Sequence, residues 1–220
     1  MADSATSTRS ILRTLGLVPI RSVARLTLMR EFERQCQKIK PGRTLDVGGG
    51  GAPFRQLVPH TTYTVLDINP EKEPDICGSA LNIPRPSQSF DTVIATEMLE
   101  HVPEPGRAVD EMFRVLEKGG TCLLSTRFIH PIHGSPNDYF RYTESGLRHL
   151  FRKFALVEVF PLGSRAHAVW LFLTYAMGKG RKPLPYRIAV GLISRALTQL
   201  SSTSDAAPLG YLVLARKPQA

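Results

Sequence analysis

The 220-residue chain has few cysteines and no long hydrophobic run. Its three cysteines, Cys36, Cys77 and Cys122, are scattered and lack the spacing of metal ligands, so we expect a reducing, cytoplasmic compartment and no disulfide framework. No stretch reaches the ~18 apolar residues of a membrane-spanning helix, and residues 11–20 are too short and interrupted for a secretory signal. At this length the chain is predicted to form one domain.

Acidic residues are also scarce, with 19 Asp and Glu against 28 Lys and Arg, which gives a net charge of +9. The basic excess lies before residue 42 and after residue 160, whereas the middle of the chain is nearly balanced. Such a charge is typical of proteins that contact nucleic acids or anionic membrane surfaces, and it also attracts anionic substrates. The Arg-, Ser- and Thr-rich first thirty residues leave a transit peptide open as well.

The sequence lacks the Gly-x-Gly-x-x-Gly fingerprint of dinucleotide-binding proteins, because Pro53 stands where the third glycine would fall. It has instead a short apolar strand pattern at 43–47 that runs into four consecutive glycines. Glycines allow backbone to approach a ligand closely. A second strand pattern at 62–67 ends in Asp67, and a carboxylate at such a strand tip suits ribose hydroxyls. The two strands predict a nucleoside site in an α/β sheet.

A tighter pattern, Asp-x-Gly-x-Gly-x-Gly, is matched by Asp46, Gly48 and Gly50, with Ala52 in the last place. We expect this alanine to fit the turn with a negative φ. At these residues the chain resembles the class I S-adenosylmethionine (SAM) dependent methyltransferases, and most closely the type-11 methyltransferase domain, over roughly residues 42–155. Further segments carry the resemblance in the family's order, namely 78–84, 89–95, 96–102 and 116–120.

The resemblance implies an α/β fold with a doubly wound, mostly parallel seven-stranded sheet of the Rossmann-like kind, whose last strand is antiparallel. Sequence patterns predict strands at 43–47, 62–67, 75–77, 90–95, 120–126, 156–160 and 210–215. They predict helices at 26–39, 108–116, 144–152, 166–177 and 186–200. The single domain is thereby divided into a basic helical extension (1–41), a SAM-binding core (42–160), a helical insertion (161–208) and a last strand with its tail (209–220).

The resemblance further implies SAM as the cofactor and methyl transfer to an oxygen, nitrogen or carbon atom of a small molecule as the activity. The implied cofactor-binding residues are Asp46, Gly48, Gly50, Asp67, Ile68, Ser79, Ala80, Leu81, Thr96 and Glu97. Ser79 replaces an acid that would accept a hydrogen bond from the adenine amino group, and a hydroxyl accepts this bond without charge assistance. We therefore expect somewhat weaker cofactor binding. Glu97 is expected beside the methionine moiety.

His101, after the fourth strand, is the candidate catalytic residue. It either faces the transferred methyl group as a proton acceptor or is a helix-start residue bonded to backbone. The loop after the fifth strand supplies the candidate acceptor-binding residues, which are His130, His133, Asp138, Tyr139, Arg141 and Tyr142. The alternative is an Asp138–Arg141 ion pair that only orders the loop. With no nearby cysteine and one clear carboxylate, His130 and His133 predict no metal site.

Three functions compete at this point: a small-molecule methyltransferase, an RNA or DNA methyltransferase favoured by the basic charge, and a catalytically silent SAM-binding module. Residues 96–99 lack the Asn/Asp-Pro-Pro-Tyr/Phe motif that usually accompanies base N-methylation, which disfavours a nucleic-acid acceptor. The insertion is predicted to be a helical cap or homodimer face, or else a basic amphipathic element at a membrane surface. The expected location is the cytoplasm, with peripheral membrane association left open.

Overall fold

The computed structural model describes residues 23–133, 137–176, 183–200 and 207–219. Its strands are β1 (Arg43–Val47), β2 (Thr62–Asp67), β3 (Ile76–Cys77), β4 (Phe90–Thr96), β5 (Leu116–Arg127), β6 (Leu156–Leu162) and β7 (Gly210–Arg216). Its helices are α1 (Val23–Cys36), α2 (Pro105–Val115), α3 (Glu144–Leu150), α4 (Arg165–Ala176) and α5 (Leu184–Leu200). The strands form one sheet in the order β3-β2-β1-β4-β5-β7-β6.

The central strands are buried on both faces. Adjacent residues of a strand point to opposite faces of the sheet, and both Leu45 and Asp46 of β1 and both Val93 and Ile94 of β4 are at most 1% exposed. This is typical of parallel strands covered on both sides. Strand β7 runs antiparallel to β5, while β1 pairs in parallel with both β2 and β4. The predicted doubly wound, mostly parallel sheet of seven strands is therefore confirmed. Because the strand order reverses between β1 and β4, a ligand crevice is expected at the carboxyl ends of these two strands.

The chain divides into two compact units. One comprises Arg30–Phe160 with Gly210–Ala220, and the other comprises Pro161–Leu209 with the chain up to Met29. The prediction of a single domain with its four parts stays a prediction. The transit peptide that the composition of the first thirty residues left open, and most of the predicted basic extension, fall before residue 23, outside the described residues.

Helices α4 and α5 of the second unit contact each other through a hydrogen bond from the Trp170 indole to the Ser194 hydroxyl, 2.8 Å long. Both helices expose large apolar side chains, which are Val169, Phe172, Leu173, Leu192 and Ile193. Within the part of the chain that the structure describes, no helix combines the length and apolar character needed to cross a membrane. The homodimer face and the membrane-surface element both stay predictions for this insertion.

Most element boundaries agree with the sequence patterns to within about three residues, and the main difference lies at β5. This strand begins at Leu116, directly after α2, and not near residue 120 as predicted. Leu116 pairs with Phe90, and the next pair along is Thr121 with Thr92, so the intervening residues form an irregularity. Leu116 is the last apolar residue of the helical pattern and also the first residue of the strand. Periodicity alone assigns a residue to only one of the two elements.

The turn after β1 uses left-handed backbone conformations. Gly48 has a φ of +70° and Gly50 a φ of +49°, and a Cβ atom on Gly48 would lie 2.6 Å from the Met98 side chain. Ala52 also has a positive φ, of +49°. The expectation of a negative φ at Ala52 is therefore wrong, because the turn keeps the shape that a glycine would give it. An alanine in this conformation is strained by its Cβ atom.

Asp46 lies beneath this turn. Its side chain is 1% exposed, and one carboxylate oxygen accepts a 2.6 Å hydrogen bond from the Tyr63 hydroxyl while the other has no hydrogen-bond partner among the described residues. A Cβ atom on Gly49 would lie 2.5 Å from the Asp46 carboxyl carbon, so the turn covers the acid closely. Burial raises the pKa of Asp46 to about 6; the Tyr63 hydrogen bond opposes the rise and the charge of Asp67 adds to it.

We expect the substitution Ala52→Gly to stabilise the protein by about 1 kcal/mol. Relief of the left-handed strain, about 1–2 kcal/mol, exceeds the entropy that glycine adds to the unfolded chain, about 0.5–1 kcal/mol. Equilibrium urea unfolding measures the difference. Ala155 is exposed and lacks a positive φ, so Ala155→Gly is the matched control and should destabilise the protein. Equal destabilisation by both substitutions would contradict the strain at Ala52.

We expect Asp46→Asn to become increasingly more stable than the wild type between pH 4 and pH 7. The pKa of Asp46 rises from 3.8 in the unfolded chain to about 6 in the folded protein. Deprotonation therefore costs folding free energy across this window, and the total is about 3 kcal/mol. Asparagine keeps an oxygen for Tyr63 and carries no charge.

The measurement is urea unfolding of both proteins at several pH values. Asp110→Asn is the control, because Asp110 is half exposed in an ion pair with Lys153 and should change stability by less than about 1 kcal/mol at every pH. A stability difference between Asp46→Asn and the wild type that does not change with pH would contradict the raised pKa.

Candidate functional site

A cavity of about 350 Å³ lies at the carboxyl ends of β1, β2 and β4. Its volume falls in the range of small-molecule sites, which is roughly 300–1,000 Å³. The residues that line it are Gly48, Leu66, Asp67, Ile68, Gly78, Ser79, Ala80, Leu81, Glu97, Met98, His101, Val102 and Pro103. The wall is mainly apolar, and its titratable groups are Asp67, Glu97 and His101.

Most of the predicted cofactor-binding residues line this cavity, together with the candidate catalytic residue His101. Asp46, Gly50 and Thr96 do not belong to the lining. Asp46 is buried under the glycine turn, and Thr96 ends β4. The wall also includes Met98, which is not among the predicted cofactor-binding residues. Its position within segment 96–102, which carries the family resemblance, could have indicated it. The cofactor roles of all these residues stay predictions.

Asp67 connects the tips of β1 and β2. One of its carboxylate oxygens accepts a hydrogen bond from the Gly50 N–H at 2.9 Å, and the other accepts one from the Asn69 N–H, also at 2.9 Å. Each carboxylate oxygen offers about two lone pairs, so both retain acceptor capacity on the side of the cavity. Two adjacent acceptors suit a pair of vicinal hydroxyl groups.

Ile68, Ser79 and Leu81 form the adjoining wall. The Ser79 hydroxyl accepts a hydrogen bond from the Leu81 N–H at 3.1 Å, which closes a local turn and leaves the oxygen one further lone pair. Ile68 is 69% exposed although it belongs to the cavity wall. An exposed apolar side chain beside a second one, Leu81, suits the flat face of a heteroaromatic ring.

Glu97 is held in an uncommon conformation at the end of β4. Its φ is +55°, and its N–H donates to the Ser125 carbonyl at 3.0 Å. Its carboxylate forms an ion pair with Arg127 at the end of β5 and accepts a 3.2 Å hydrogen bond from the Ser125 hydroxyl. Strained residues of this kind cluster at functional sites. Arg127 thus neutralises the charge of the Glu97 carboxylate. The predicted contact of Glu97 with the methionine moiety stays a prediction.

His101 ends a short 3₁₀ turn, Leu99–His101. Its ring Nδ1 forms a short hydrogen bond with the carbonyl oxygen of Asn137. Because a carbonyl oxygen can only accept, Nδ1 carries the proton, and Nε2 of the neutral ring carries a lone pair. His101 thus lines the cavity and is also bonded to backbone. It ends the 3₁₀ turn and does not start a helix, as the second alternative from the sequence had it. Its catalytic role stays a prediction.

Asp138 and Arg141 brace the loop after β5. Two guanidinium nitrogens of Arg141 donate short hydrogen bonds to the two Asp138 carboxylate oxygens, and the His133 N–H donates to the same carboxylate at 3.0 Å. The Arg141 guanidinium holds the pKa of Asp138 well below its usual range. The ordering ion pair, which the sequence left as an alternative, is thus present. Arg141 also donates to the His130 carbonyl at 3.3 Å.

None of the described residues of this loop belongs to the cavity lining, but His133 lies next to His101. The His133 ring lies 5.0 Å from the His101 ring and 4.8 Å from the His130 ring, measured between centroids. Burial lowers the pKa of His133, and it lowers that of His130 to about 4, helped by the charge of Arg127. Both imidazoles are therefore neutral at pH 7. The substrate-binding roles of His130, His133, Asp138 and Arg141 stay predictions.

The two predicted tyrosines do not reach the cavity wall. Tyr139 is 48% exposed, and its hydroxyl accepts a hydrogen bond from the Asn137 amide at 3.0 Å. Tyr142 is buried, and its hydroxyl donates to the Leu99 carbonyl at 3.0 Å. Tyr142 thus packs in the core beneath the 3₁₀ turn, where its aromatic ring has apolar neighbours. The acceptor-binding roles predicted for Tyr139 and Tyr142 stay predictions.

Glu100, next to His101, is fully buried. One of its carboxylate oxygens accepts a 2.8 Å hydrogen bond from the Thr126 hydroxyl, and the other has no hydrogen-bond partner among the described residues. Burial raises the pKa of Glu100, and the charge of Glu97 raises it further. Glu100, His101 and His133 each offer one potential ligand atom, and these three atoms lie within 4.8 Å of one another.

The sequence of the core matches a known domain family. Residues 45–124 match the family model described as a methyltransferase domain. A ubiquinone/menaquinone biosynthesis C-methyltransferase of Methylobacterium nodulans is 34% identical over 134 residues, which cover 51% of this chain and 53% of that protein. A ubiquinone biosynthesis O-methyltransferase of Psychrobacter cryohalolentis is 48% identical over 50 residues, which cover 23% of this chain and 18% of that protein.

The chain therefore spans about half, or less, of the curated relatives that it matches. Among solved structures, a SAM-dependent methyltransferase of Thermotoga maritima, described as a possible histamine N-methyltransferase, superposes with a TM-score of 0.59 at 16% identity, over 89% of this chain and 91% of that one. This likeness shows the fold. Together with the observed strand order, the matched family model identifies the core over residues 45–124 as a methyltransferase domain of the class I S-adenosylmethionine-dependent kind.

Proposed function

We propose that this chain transfers the methyl group of SAM to a small-molecule acceptor. The observation that carries the proposal is the Asp67 carboxylate, which lies at the tip of β2 on the wall of a cavity of about 350 Å³ and is fixed by the Gly50 N–H. A carboxylate in this position, beside a glycine turn, is suited to the ribose hydroxyls of an adenosyl group. The matched methyltransferase domain supports the same conclusion.

The residues around the cavity fit SAM. At Gly48 a Cβ atom would meet the Met98 side chain at 2.6 Å, and its absence leaves backbone bare on the cavity wall. Asp67 supplies acceptors for the ribose, and the apolar side chains of Ile68 and Leu81 supply a surface for the adenine. The Ser79 hydroxyl keeps one lone pair for the adenine amino group after its bond to the Leu81 N–H.

When bound, SAM supplies a sulfonium methyl group that is already activated for in-line displacement. The tasks left to the protein are alignment and exclusion of water. Apolar residues such as Leu81, Met98 and Val102 exclude water from the wall, and Asp67 fixes the position of the adenosyl group. The lone pair on His101 Nε2 is available to accept the proton of an acceptor hydroxyl, which makes His101 the candidate general base.

We propose an aromatic acceptor of the hydroquinone class, methylated at oxygen or at a ring carbon. The support is the similarity to two relatives that are named for quinone biosynthesis, one an O-methyltransferase and the other a C-methyltransferase. RNA is disfavoured, because the basic excess of the sequence lies outside the core that holds the cavity. The three cysteines are free in the structure, which supports the further proposal of a reducing compartment such as the cytoplasm.

We expect Asp67→Ala to weaken SAM binding at least tenfold, because it removes charge-assisted acceptors for the ribose and leaves the Gly50 N–H unpaired. Isothermal titration with SAM and with S-adenosylhomocysteine measures the affinity, and thermal unfolding checks that the variant is folded. Asp110→Asn, on the exposed face of α2, is the control and should bind as the wild type does. Unchanged binding by Asp67→Ala would refute the proposed role of this carboxylate.

We expect the wild type to transfer labelled methyl groups from SAM to at least one prenylated hydroquinone in a panel, and to transfer none to total RNA. Mass spectrometry of the product locates the methylated atom. Asp67→Ala supplies the matched background, since its binding site for SAM is impaired. Methylation of RNA with no labelled quinol would show that the acceptor class proposed here is wrong.

A further inference from the structure

Glu100 presents an unsatisfied acceptor in a fully buried position. Its side chain has no exposed surface, and one carboxylate oxygen has no hydrogen-bond partner within the described ranges of the chain, whereas the other accepts a hydrogen bond from the Thr126 hydroxyl at 2.8 Å. A buried carboxylate oxygen without a donor is costly. Such an atom points to a ligand that carries positive charge or a proton, and it lies beside the cavity wall at His101.

His101 supplies a second side chain with a free lone pair, which could bind a positively charged ligand together with Glu100. Its Nδ1–H is bonded to the carbonyl oxygen of Asn137, so the lone pair of the neutral ring lies on Nε2. Metal-ligating histidines in proteins almost always donate their other ring N–H to a carboxylate, a backbone carbonyl or water, which orients the ring and fixes its tautomer. The Thr126 hydroxyl plays the corresponding part for Glu100.

His133 supplies a third potential ligand side chain, from a part of the chain about thirty residues further on. The Tyr139 N–H donates to the Glu100 carbonyl at 2.8 Å, and the His133 N–H donates to Asp138, so the backbone holds this loop against the 3₁₀ turn. The His133 side chain is about one third exposed, and its ring contacts that of His101.

From this geometry we infer that Glu100, His101 and His133 form a binding site for a divalent transition-metal ion of the Zn²⁺ type. Two imidazoles and one carboxylate are the ligand set of several catalytic zinc sites, which leave a fourth position open. The three ligand atoms lie within 4.8 Å of one another. Zn²⁺ bonds of about 2.0–2.2 Å require a somewhat closer approach, which a rotation of the His133 side chain, about one third exposed, would provide.

The open position of this site adjoins the cavity wall at His101. If the proposed methyl transfer holds, an oxygen atom of the acceptor would bind there, since a bound metal ion lowers the pKa of a coordinated hydroxyl group. This role rests on the proposed function, whereas binding of the metal does not. In this arrangement the lone pair of His101 coordinates the metal, and the proton of the coordinated hydroxyl group is released to solvent water before the methyl group is transferred.

The test is titration of the full-length, chelator-treated protein with Zn²⁺ alone by calorimetry, and with Co²⁺ by visible absorption. We expect saturable binding of one ion per chain and the absorption of a four-coordinate Co²⁺ site. His133→Ala and Glu100→Gln should each weaken binding at least tenfold. His149→Ala removes an exposed histidine of α3 and should bind as the wild type does. Thermal unfolding checks each variant, and His133→Ala, in a half-exposed loop, keeps the test decisive if Glu100→Gln does not fold.

Absence of saturable binding in the wild type would overturn the inference, and so would unaltered affinity in His133→Ala. Titration with SAM in the metal-free protein separates the two proposals. SAM binding without metal binding leaves the methyltransferase proposal intact and removes the metal site. Metal binding that is lost in His133→Ala supports the site even if SAM does not bind.

Discussion

The hydrogen bond between the Gly50 N–H and the Asp67 carboxylate is the interaction on which the candidate site depends. It joins the turn after β1 to the tip of β2 and so fixes one edge of the cavity. The bond requires the turn to approach the acid closely, and the positive φ values of Gly48 and Gly50 make this possible. The same closeness buries Asp46, and this burial raises its pKa.

Several residues around the sheet tips are held at a cost in stability. Ala52 and Glu97 have positive φ values, and the buried carboxylates of Asp46 and Glu100 each have one oxygen without a hydrogen-bond partner. Strained or unpaired groups of this kind persist where the surrounding structure holds them in place, and they concentrate at functional sites. The buried central strands β1 and β4 supply that rigid surrounding. The strain and the cavity therefore have the same cause, because both arise where the carboxyl ends of the parallel strands lie close together.

The loop after β5 is positioned by hydrogen bonds and an ion pair. None of its described residues lines the cavity, yet it is bound to the 3₁₀ turn through the Glu100 carbonyl and the His101 ring. The Asp138–Arg141 ion pair braces the described part of the loop. Its histidines are thereby brought against the cavity edge. An ordering ion pair and a functional loop are thus compatible, because the pair sets where the neighbouring imidazoles lie.

The sequence by itself determined most strand boundaries, the glycine turn and the acid at the tip of β2, because these follow from local periodicity and from a motif whose residues are close together. The seven-stranded sheet with its antiparallel last strand followed only from the resemblance to a known family. The sequence did not determine the conformation of Ala52 or the start of β5, since both depend on how the chain pairs across the sheet. Only the tertiary structure separated Tyr142, which packs in the core, from the residues near the cavity. It also decided that His133 meets Glu100 and His101, some thirty residues earlier, because only folding sets the distance between groups so far apart in sequence.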